Sequence, residues 1–201
     1  MKRRSGFVSN SSSSSFIVGF ERRPASVEEV HKILFNTELN EDSHVTYYDY
    51  SLPTKDVAER VFRDLKEQKP ATVKKIKEEV RSGYFPGYPS RDYSQRTESE
   101  LLEDEFHKKF PSLNYYDEKT LKGNADAIKM AKKIRETRQA EWDREREETD
   151  AAADRYAEES VLTKFKGKKV FVFSYADDGG EAVLEHGQIF DNLPHVQISH
   201  H

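Results

Sequence analysis

Short apolar blocks, separated by polar and turn-forming residues, divide this chain into predicted strands and helices. The block Phe16-Ile17-Val18-Gly19-Phe20 is rich in β-prone residues and lies between serines and Glu21-Arg22-Arg23-Pro24, which predicts a short buried strand. The almost continuous apolar run over residues 170–175 predicts a strand that is covered on both faces. Weaker alternation predicts two more strands, over residues 44–52 and 195–199.

Apolar residues at helical spacing predict helices between these strands. Ser26 caps the first helix, with Glu29 three positions later as its capping partner. Further helices are predicted to begin at Thr54, Pro70 and Glu98, and a short one to cover residues 181–185. The chain is therefore placed in the α/β (or α+β) class. We expect a small sheet formed by both chain ends plus a middle strand and packed by helices.

A long helical tract begins at about Ala125 and becomes almost entirely polar. Residues 135–150 contain only Ala140 and Trp142 as apolar residues, and charges of opposite sign recur four positions apart. A helix that is polar all round bridges, projects or is covered by a partner. The predicted division is therefore an α/β core domain of residues 1–122 and 163–201, with a long charged helix over 123–162.

Composition excludes several classes of function. The chain has 201 residues, 35% apolar and 35% charged, no cysteine, and a net charge of −4. Disulfides, thiolate metal sites and cysteine nucleophiles are excluded, and a general attraction to nucleic acid is not supported. No window approaches the roughly 18 apolar residues of a membrane span, and the basic start Lys2-Arg3-Arg4 lacks the apolar stretch of a signal peptide. We expect a soluble protein without a membrane partner.

The serine run Ser11–Ser15 is the first candidate site. Curled serines offer hydroxyl and main-chain N–H groups that can form a nest for phosphate, for which Ser11, Ser12 and Ser13 are the candidate residues. The glycines and the lysine of a phosphate-binding loop are missing. One alternative is an ordered segment without a chemical role, held in place by its apolar neighbours. A weaker one is a modification site in the context Arg3-Arg4-Ser5.

The second candidate site is a cluster of acidic residues and histidines near the end of the chain. Imidazole and carboxylate groups bind zinc or manganese where thiolates are absent, and the candidate ligands are Asp178, His186 and His195. Glu185 is the candidate general base, and so the candidate catalytic residue. The spacing matches no tight metal-binding template. Scattered polar residues at turns, or acid–base chemistry without a metal, are therefore the alternatives.

The third candidate is a partner-binding surface rich in aromatic residues. Tyrosine and arginine are enriched at the energetic centres of protein interfaces. Interleaved aromatics and arginines also hold single-stranded nucleic acid, but the net negative charge favours a protein partner. The single tryptophan on the polar helix is a further docking candidate. The residues are Tyr84, Phe85, Tyr88, Arg91 and Trp142.

Both ends of the chain resemble a set of uncharacterised bacteriophage and prokaryotic proteins. The blocks that carry the resemblance are RSGFVSNSSSSSFI near the start and SYADDGG, LEHG, LPH and SHH near the end. The resemblance implies a phage or microbial origin, with a place in the host cytoplasm or the virion. It also implies that the two ends form one structural unit with the serines near the histidines, and it supplies no catalytic residues.

Three functions remain open from the sequence, and the weakest of them is nucleic-acid binding through residues 81–96. The leading hypothesis is a phage-type interaction protein that binds a host factor or a virion component. The alternative is a metal-dependent hydrolase acting on a phosphoester, with the serine run receiving phosphate and the Asp/His cluster holding the ion.

Overall fold

The computed structural model describes residues 13–39, 42–90, 92, 94–176 and 181–200. Contacts divide the chain into two compact units, one of Met1–Tyr88 with Ala153–His201 and one of Pro89–Ala152. We call them unit 1 and unit 2. The sequence-based division had its boundaries at 122/123 and 162/163. They differ because the helix that begins at Glu98 packs against the start of the long helix, and the two share one core.

Unit 1 contains a mixed α/β fold around a three-stranded antiparallel sheet. The strands are β1 (Ser13–Phe20), β4 (Lys169–Ala176) and β5 (His195–Ser199), in the order β4-β1-β5. Phe16 pairs with Phe173 of β4 and with Gln197 of β5. The predicted sheet built from both ends of the chain is confirmed. β1 is the central strand, which explains why all of its residues after Ser13 are buried.

Helices cover one face of this sheet. Three helices contribute aromatic and aliphatic side chains to the main core: α1 (Val27–Phe35), α2 (Thr54–Glu67) and α7 (Ala182–His186). On the sheet this core contains the even-numbered residues of β1 and the odd-numbered residues of β4, as the two-residue period of strands requires. The sheet residues in the core are Phe16, Val18, Phe20, Phe171, Phe173 and Tyr175.

Packing on the other face of β1 depends on a glycine. A Cβ atom at Gly19 would lie 2.6 Å from a ring carbon of Phe165. Phe165 follows the π-helical segment Ala157–Leu162, which continues the long helix and buries Val161. α3 (Val73–Arg81) contacts the same segment and buries Ile76 and Val80.

Two predicted elements of unit 1 are corrected. Residues 44–52 form a hairpin and not one strand, with β2 (His44–Tyr47) paired to β3 (Tyr50–Pro53) apart from the main sheet. The chain reverses because Tyr48 adopts a left-handed conformation with φ of 48°. α3 begins at Val73 and not at Pro70, since the Thr72 hydroxyl accepts the N–H of Lys75 as the helix cap.

Unit 2 consists of α4 (Glu98–Lys109), the short α5 (Glu118–Leu121) and the first part of α6 (Ala125–Tyr156). A capping box begins α4, in which the Thr97 hydroxyl and the Glu100 carboxylate each accept a main-chain N–H of the other residue. The core of unit 2 contains Phe106, Tyr115, Leu121, Ala127, Ala131 and Ile134. The long helix from Ala125 is confirmed. Across the described residues, no helix has both the length and the apolar character that a membrane crossing requires.

Candidate functional site

The serine run enters the sheet as its central strand. Ser14 and Ser15 are both buried, and they point to opposite faces of β1. Ser13 is also part of the strand, and its carbonyl accepts the N–H of His200 at 2.9 Å. Ser11 and Ser12 lie outside the described residues. Phosphate binding by the serine run therefore stays a prediction that rests on those two residues, since Ser13 is extended.

On one face, Ser14 holds a buried carboxylate. The Ser14 hydroxyl donates to Glu185 Oε1 at 2.7 Å and accepts from Gln197 Nε2 at 3.0 Å. The other oxygen of Glu185 lies 3.8 Å from Nε2 of His186, whose ring stacks on Tyr47 with centroids 4.5 Å apart. A buried carboxylate needs hydrogen-bond donors to offset its desolvation, and Ser14 supplies one to Oε1. The predicted general base Glu185 is thus buried, and its catalytic role stays a prediction.

On the other face, Ser15 joins a second polar network. Its hydroxyl lies 3.1 Å from Ser174 Oγ and 2.9 Å from Nε2 of His200. Nδ1 of His200 lies 3.2 Å from the carbonyl oxygen of Ser82, so Nδ1 carries the proton and donates. Nε2 of neutral His200 then accepts from Ser15. This contact confirms the expectation that the serines of the first strand lie near histidines of the C-terminal block.

The predicted metal ligands are placed only in part. Asp178 lies outside the described residues. His186 ends α7, whereas His195 begins β5, where its Nδ1 donates to the carbonyl of Leu193 at 3.1 Å and its Nε2 lies 3.9 Å from Asp191. Within the described ranges, no three His, Asp or Glu side chains are grouped so that they could hold a metal ion.

The aromatic residues of the third candidate form a defined surface in unit 1. The Tyr84 ring lies 4.7 Å from that of Tyr88, and Phe85 stacks on Tyr156 at 5.3 Å between ring centroids. Tyr84 is 52% exposed and Tyr88 36%, whereas Phe85 is buried. We call Tyr84 and Tyr88 the tyrosine surface, with Phe85 as its internal anchor. The predicted partner contact Arg91 lies outside the described residues.

The backbone fixes the tyrosine surface at the edge of the sheet. Tyr84 donates to the Ser199 carbonyl at 2.7 Å, and the Ser199 N–H donates back to the Tyr84 carbonyl at 3.3 Å. The approach requires the glycine before Tyr84, because a Cβ atom at Gly83 would lie 2.4 Å from the Ser199 oxygen. The Tyr84 ring is thus presented by a backbone that is hydrogen-bonded to a strand, and the Tyr88 N–H donates to the Phe85 carbonyl at 2.9 Å in the turn that follows.

Arg81, the last residue of α3, has a structural contact. Its Nε and Nη2 atoms donate to the two carboxylate oxygens of Asp154 at 3.0 and 2.6 Å. The ion pair holds the pKa of Asp154 below its usual value, chiefly through the hydrogen bond from Arg81. This bidentate geometry links α3 to the end of α6 within unit 1.

Trp142 stands on α6 in unit 2 and is 57% exposed. The residue before it, Glu141, is buried and accepts both the N–H and the hydroxyl of Ser99 at 3.1 and 2.6 Å. Desolvation raises the pKa of Glu141, but the hydrogen bonds from Ser99 and its neighbours outweigh it and lower the pKa below its usual value. Sequence reasoning missed this contact, since 42 positions separate the two residues.

A cleft of about 500 Å³ in unit 1 has mixed charge. Its lining includes Arg60, whose side chain lies 2.9 Å from Glu181 and 3.2 Å from Asp64. Desolvation lowers the pKa of Arg60, yet the two carboxylates more than offset it and raise the pKa overall. The Tyr175 hydroxyl donates to Asp64 at 3.3 Å, and burial is the main reason that its pKa lies well above the usual value. These contacts join Arg60, Glu181, Asp64 and Tyr175 in one network of ion pairs and hydrogen bonds.

No protein-family model, curated protein or solved structure matches this chain.

Proposed function

We propose that this protein acts by binding another protein, and that the tyrosine surface of unit 1 is its main contact. The observation that carries the proposal is the pair of exposed rings Tyr84 and Tyr88, of which Tyr84 is bonded to β5 through its main chain. Tyrosine gives a large contact area and loses few rotamers on binding. Preorganised backbone lowers the entropic cost of association further.

The class of partner follows from the end blocks of the sequence. Their resemblance to phage proteins makes a host protein or a virion component the first class to test. Trp142 is a second contact in the same proposal, because an exposed tryptophan on a polar helix supplies the aromatic anchor of an interface.

The metal-dependent hydrolase has less support from geometry. Glu185 is buried, and the described residues offer no group of three metal ligands. The remaining predicted ligand, Asp178, lies in a stretch that the structure does not describe.

A peptide-display library tests the binding proposal. Enriched peptides are synthesised, and their affinities are measured by fluorescence anisotropy for the wild type and for the Tyr84→Ser/Tyr88→Ser variant. We expect the variant to bind about tenfold more weakly or worse, as for loss of interface anchors. The matched control is Tyr48→Asn/Tyr50→Ser, which removes two other exposed tyrosines of unit 1. Equal losses in both variants, or no enrichment by the wild type, refute the proposal.

A further inference from the structure

The two edges of the sheet in unit 1 are closed to different extents. At the β5 edge, Ser199 exchanges main-chain hydrogen bonds with Tyr84, and Lys164 Nζ donates to the His195 carbonyl at 2.6 Å. At the β4 edge, a single main-chain bond is present among the described residues, from the Ala71 N–H to the Val170 carbonyl at 2.7 Å. The remainder of β4 is therefore the more open edge.

The direction of the β4 main-chain groups follows from that bond. In an antiparallel strand, alternate residues direct their N–H and C=O groups toward the same side. Because the Val170 carbonyl accepts from Ala71, outside the sheet, Val172 and Ser174 also direct their groups away from β1. In the part of the chain that the structure describes, no residue bonds to these four groups. We call Val172 and Ser174 the open edge.

A cleft of about 370 Å³ lies along the open edge, and its lining carries one positive charge in excess, from two lysines and one glutamate. Lys69 forms no ion pair with any described residue. The carboxylate of Glu79 is compensated by Lys75, whose Nζ lies 3.2 Å away. The cleft residues are Gln68, Lys69, Ala71, Lys75, Glu79, Val172 and Ser174.

We propose that the open edge binds an extended acidic segment of a partner protein by strand addition. The partner's main chain would pair with the four outward groups of Val172 and Ser174, and its carboxylates would meet Lys69 and Lys75. Main-chain pairing supplies affinity in this mode, and side-chain contacts supply specificity. The site shares no residue with the tyrosine surface, so either proposal can fail alone.

Charge favours an acidic partner segment over a second copy of this chain and over the chain's own residues 2–4. A second copy paired edge to edge would bring the same lysines together, and like charges at an interface are repulsive. Residues 2–4 of this chain, Lys-Arg-Arg, carry the same sign as the cleft. An acidic segment from another protein is the complementary occupant.

A proline substitution tests the main-chain part of the proposal. Ser174→Pro removes the outward N–H and leaves the bonds between β4 and β1, because proline is tolerated on the open side of an edge strand. The matched control Ser174→Ala loses the same hydroxyl and keeps the N–H. The probe is a short fluorescent peptide of alternating glutamate and threonine. We expect Ser174→Pro to weaken its binding about fivefold or more, the effect of one lost hydrogen bond, and Ser174→Ala to bind like the wild type.

A charge reversal tests the electrostatic part and does not depend on the fold of the proline variant. Lys75→Glu reverses a charge in the cleft. The matched control is Lys74→Glu, at the preceding position of α3. Each lysine pairs with the glutamate four positions later, at 3.2 and 3.9 Å. We expect Lys75→Glu to weaken binding of the acidic peptide about tenfold at low salt, and Lys74→Glu to change it by less than about threefold.

Four outcomes would overturn the proposal. The first is no binding of the acidic peptide by the wild type, and the second is equal binding of a lysine–threonine peptide. The third is a dimer in light scattering that Ser174→Pro abolishes, since a second copy would then occupy the edge. The fourth is peptide binding that appears only when residues 1–10 are deleted, since the chain's own start would then occupy it. Circular dichroism of every variant establishes that the sheet is retained.

Discussion

The Ser15 hydroxyl lies 2.9 Å from Nε2 of His200, across 185 positions of the chain. Its neighbour Ser14 donates to Glu185 across 171 positions at 2.7 Å. Two adjacent serines of one strand thus tie β1 to two separate parts of the C-terminal region. The serine run has a structural role on both faces of the sheet.

The two serines are expected to differ in their effect on stability. Ser15→Ala loses hydrogen bonds with the Ser174 hydroxyl and the His200 ring, and should lower the free energy of unfolding by about 1 kcal/mol. Ser14→Ala leaves a buried carboxylate oxygen without its donor and should cost about 2–3 kcal/mol. Urea unfolding followed by circular dichroism measures both. Ser13→Ala is the control, since the Ser13 hydroxyl bonds to no described residue. Equal costs for Ser14→Ala and Ser13→Ala would contradict the buried network.

Gly19→Ala should destabilise unit 1 by about 1–3 kcal/mol, the usual cost of overpacking. The added methyl group would lie 2.6 Å from the Phe165 ring. Phe165→Leu provides room, so the double variant should lose less stability than the sum of the single variants. Urea unfolding of the four proteins gives this coupling energy. Additive losses would show that Phe165 does not press on Gly19.

How far the sequence predicts this structure depends on the range of each interaction. Apolar runs predict β1 and β4 because burial on both faces is a local signal. The reversal at Tyr48 was missed, since tyrosine gives none of the signal for a left-handed residue that glycine or asparagine gives. The open edge could not be predicted either, because it depends on strand order and on which segment reaches Val170.

The candidate sites likewise include contacts that the sequence predicts and contacts that it does not. The meeting of the serines with the C-terminal histidines was expected from the paired sequence blocks, and the structure confirms it through Ser15 and His200. The role of Glu141 as an acceptor for Ser99 was not expected, because a glutamate in a charged helix has no sequence signal for burial.

Glu141→Gln should lower the stability of unit 2 at neutral pH by about 1 kcal/mol, because the amide replaces a charged acceptor of the Ser99 donors. The folded-state pKa of Glu141 is lowered, so its contribution is present above the unfolded-state pKa and is lost as the pH falls through the folded-state pKa. The difference between variant and wild type should therefore shrink in acid. Urea unfolding at several pH values measures it, with the exposed Glu145→Gln as the control. A difference that is independent of pH would contradict this assignment.

Metal analysis tests the hydrolase alternative. The protein is purified without a histidine tag, dialysed, and examined for zinc and manganese. We expect less than about 0.1 equivalent of either ion, because no three His, Asp or Glu side chains are grouped for metal binding within the described residues. A site with three protein ligands would retain its metal through dialysis, so a low value counts against the hydrolase. Bound metal near one equivalent that is lost in Asp178→Ala, and retained in the control Asp126→Ala at an exposed aspartate of α6, would instead support the Asp178, His186 and His195 site.

Trp142→Ser should leave the fold unchanged and weaken partner binding. The side chain is 57% exposed on α6, so its removal should change the free energy of unfolding by less than about 0.5 kcal/mol. Acrylamide should quench the fluorescence of this single tryptophan efficiently in the free protein and less once a partner peptide from the display library is bound. The control is Ile128→Ser, which removes another exposed apolar side chain of the same helix. If Trp142 is poorly quenched in a protein that light scattering shows to be monomeric, the ring packs within its own chain. Its role as a docking residue would then have to be abandoned.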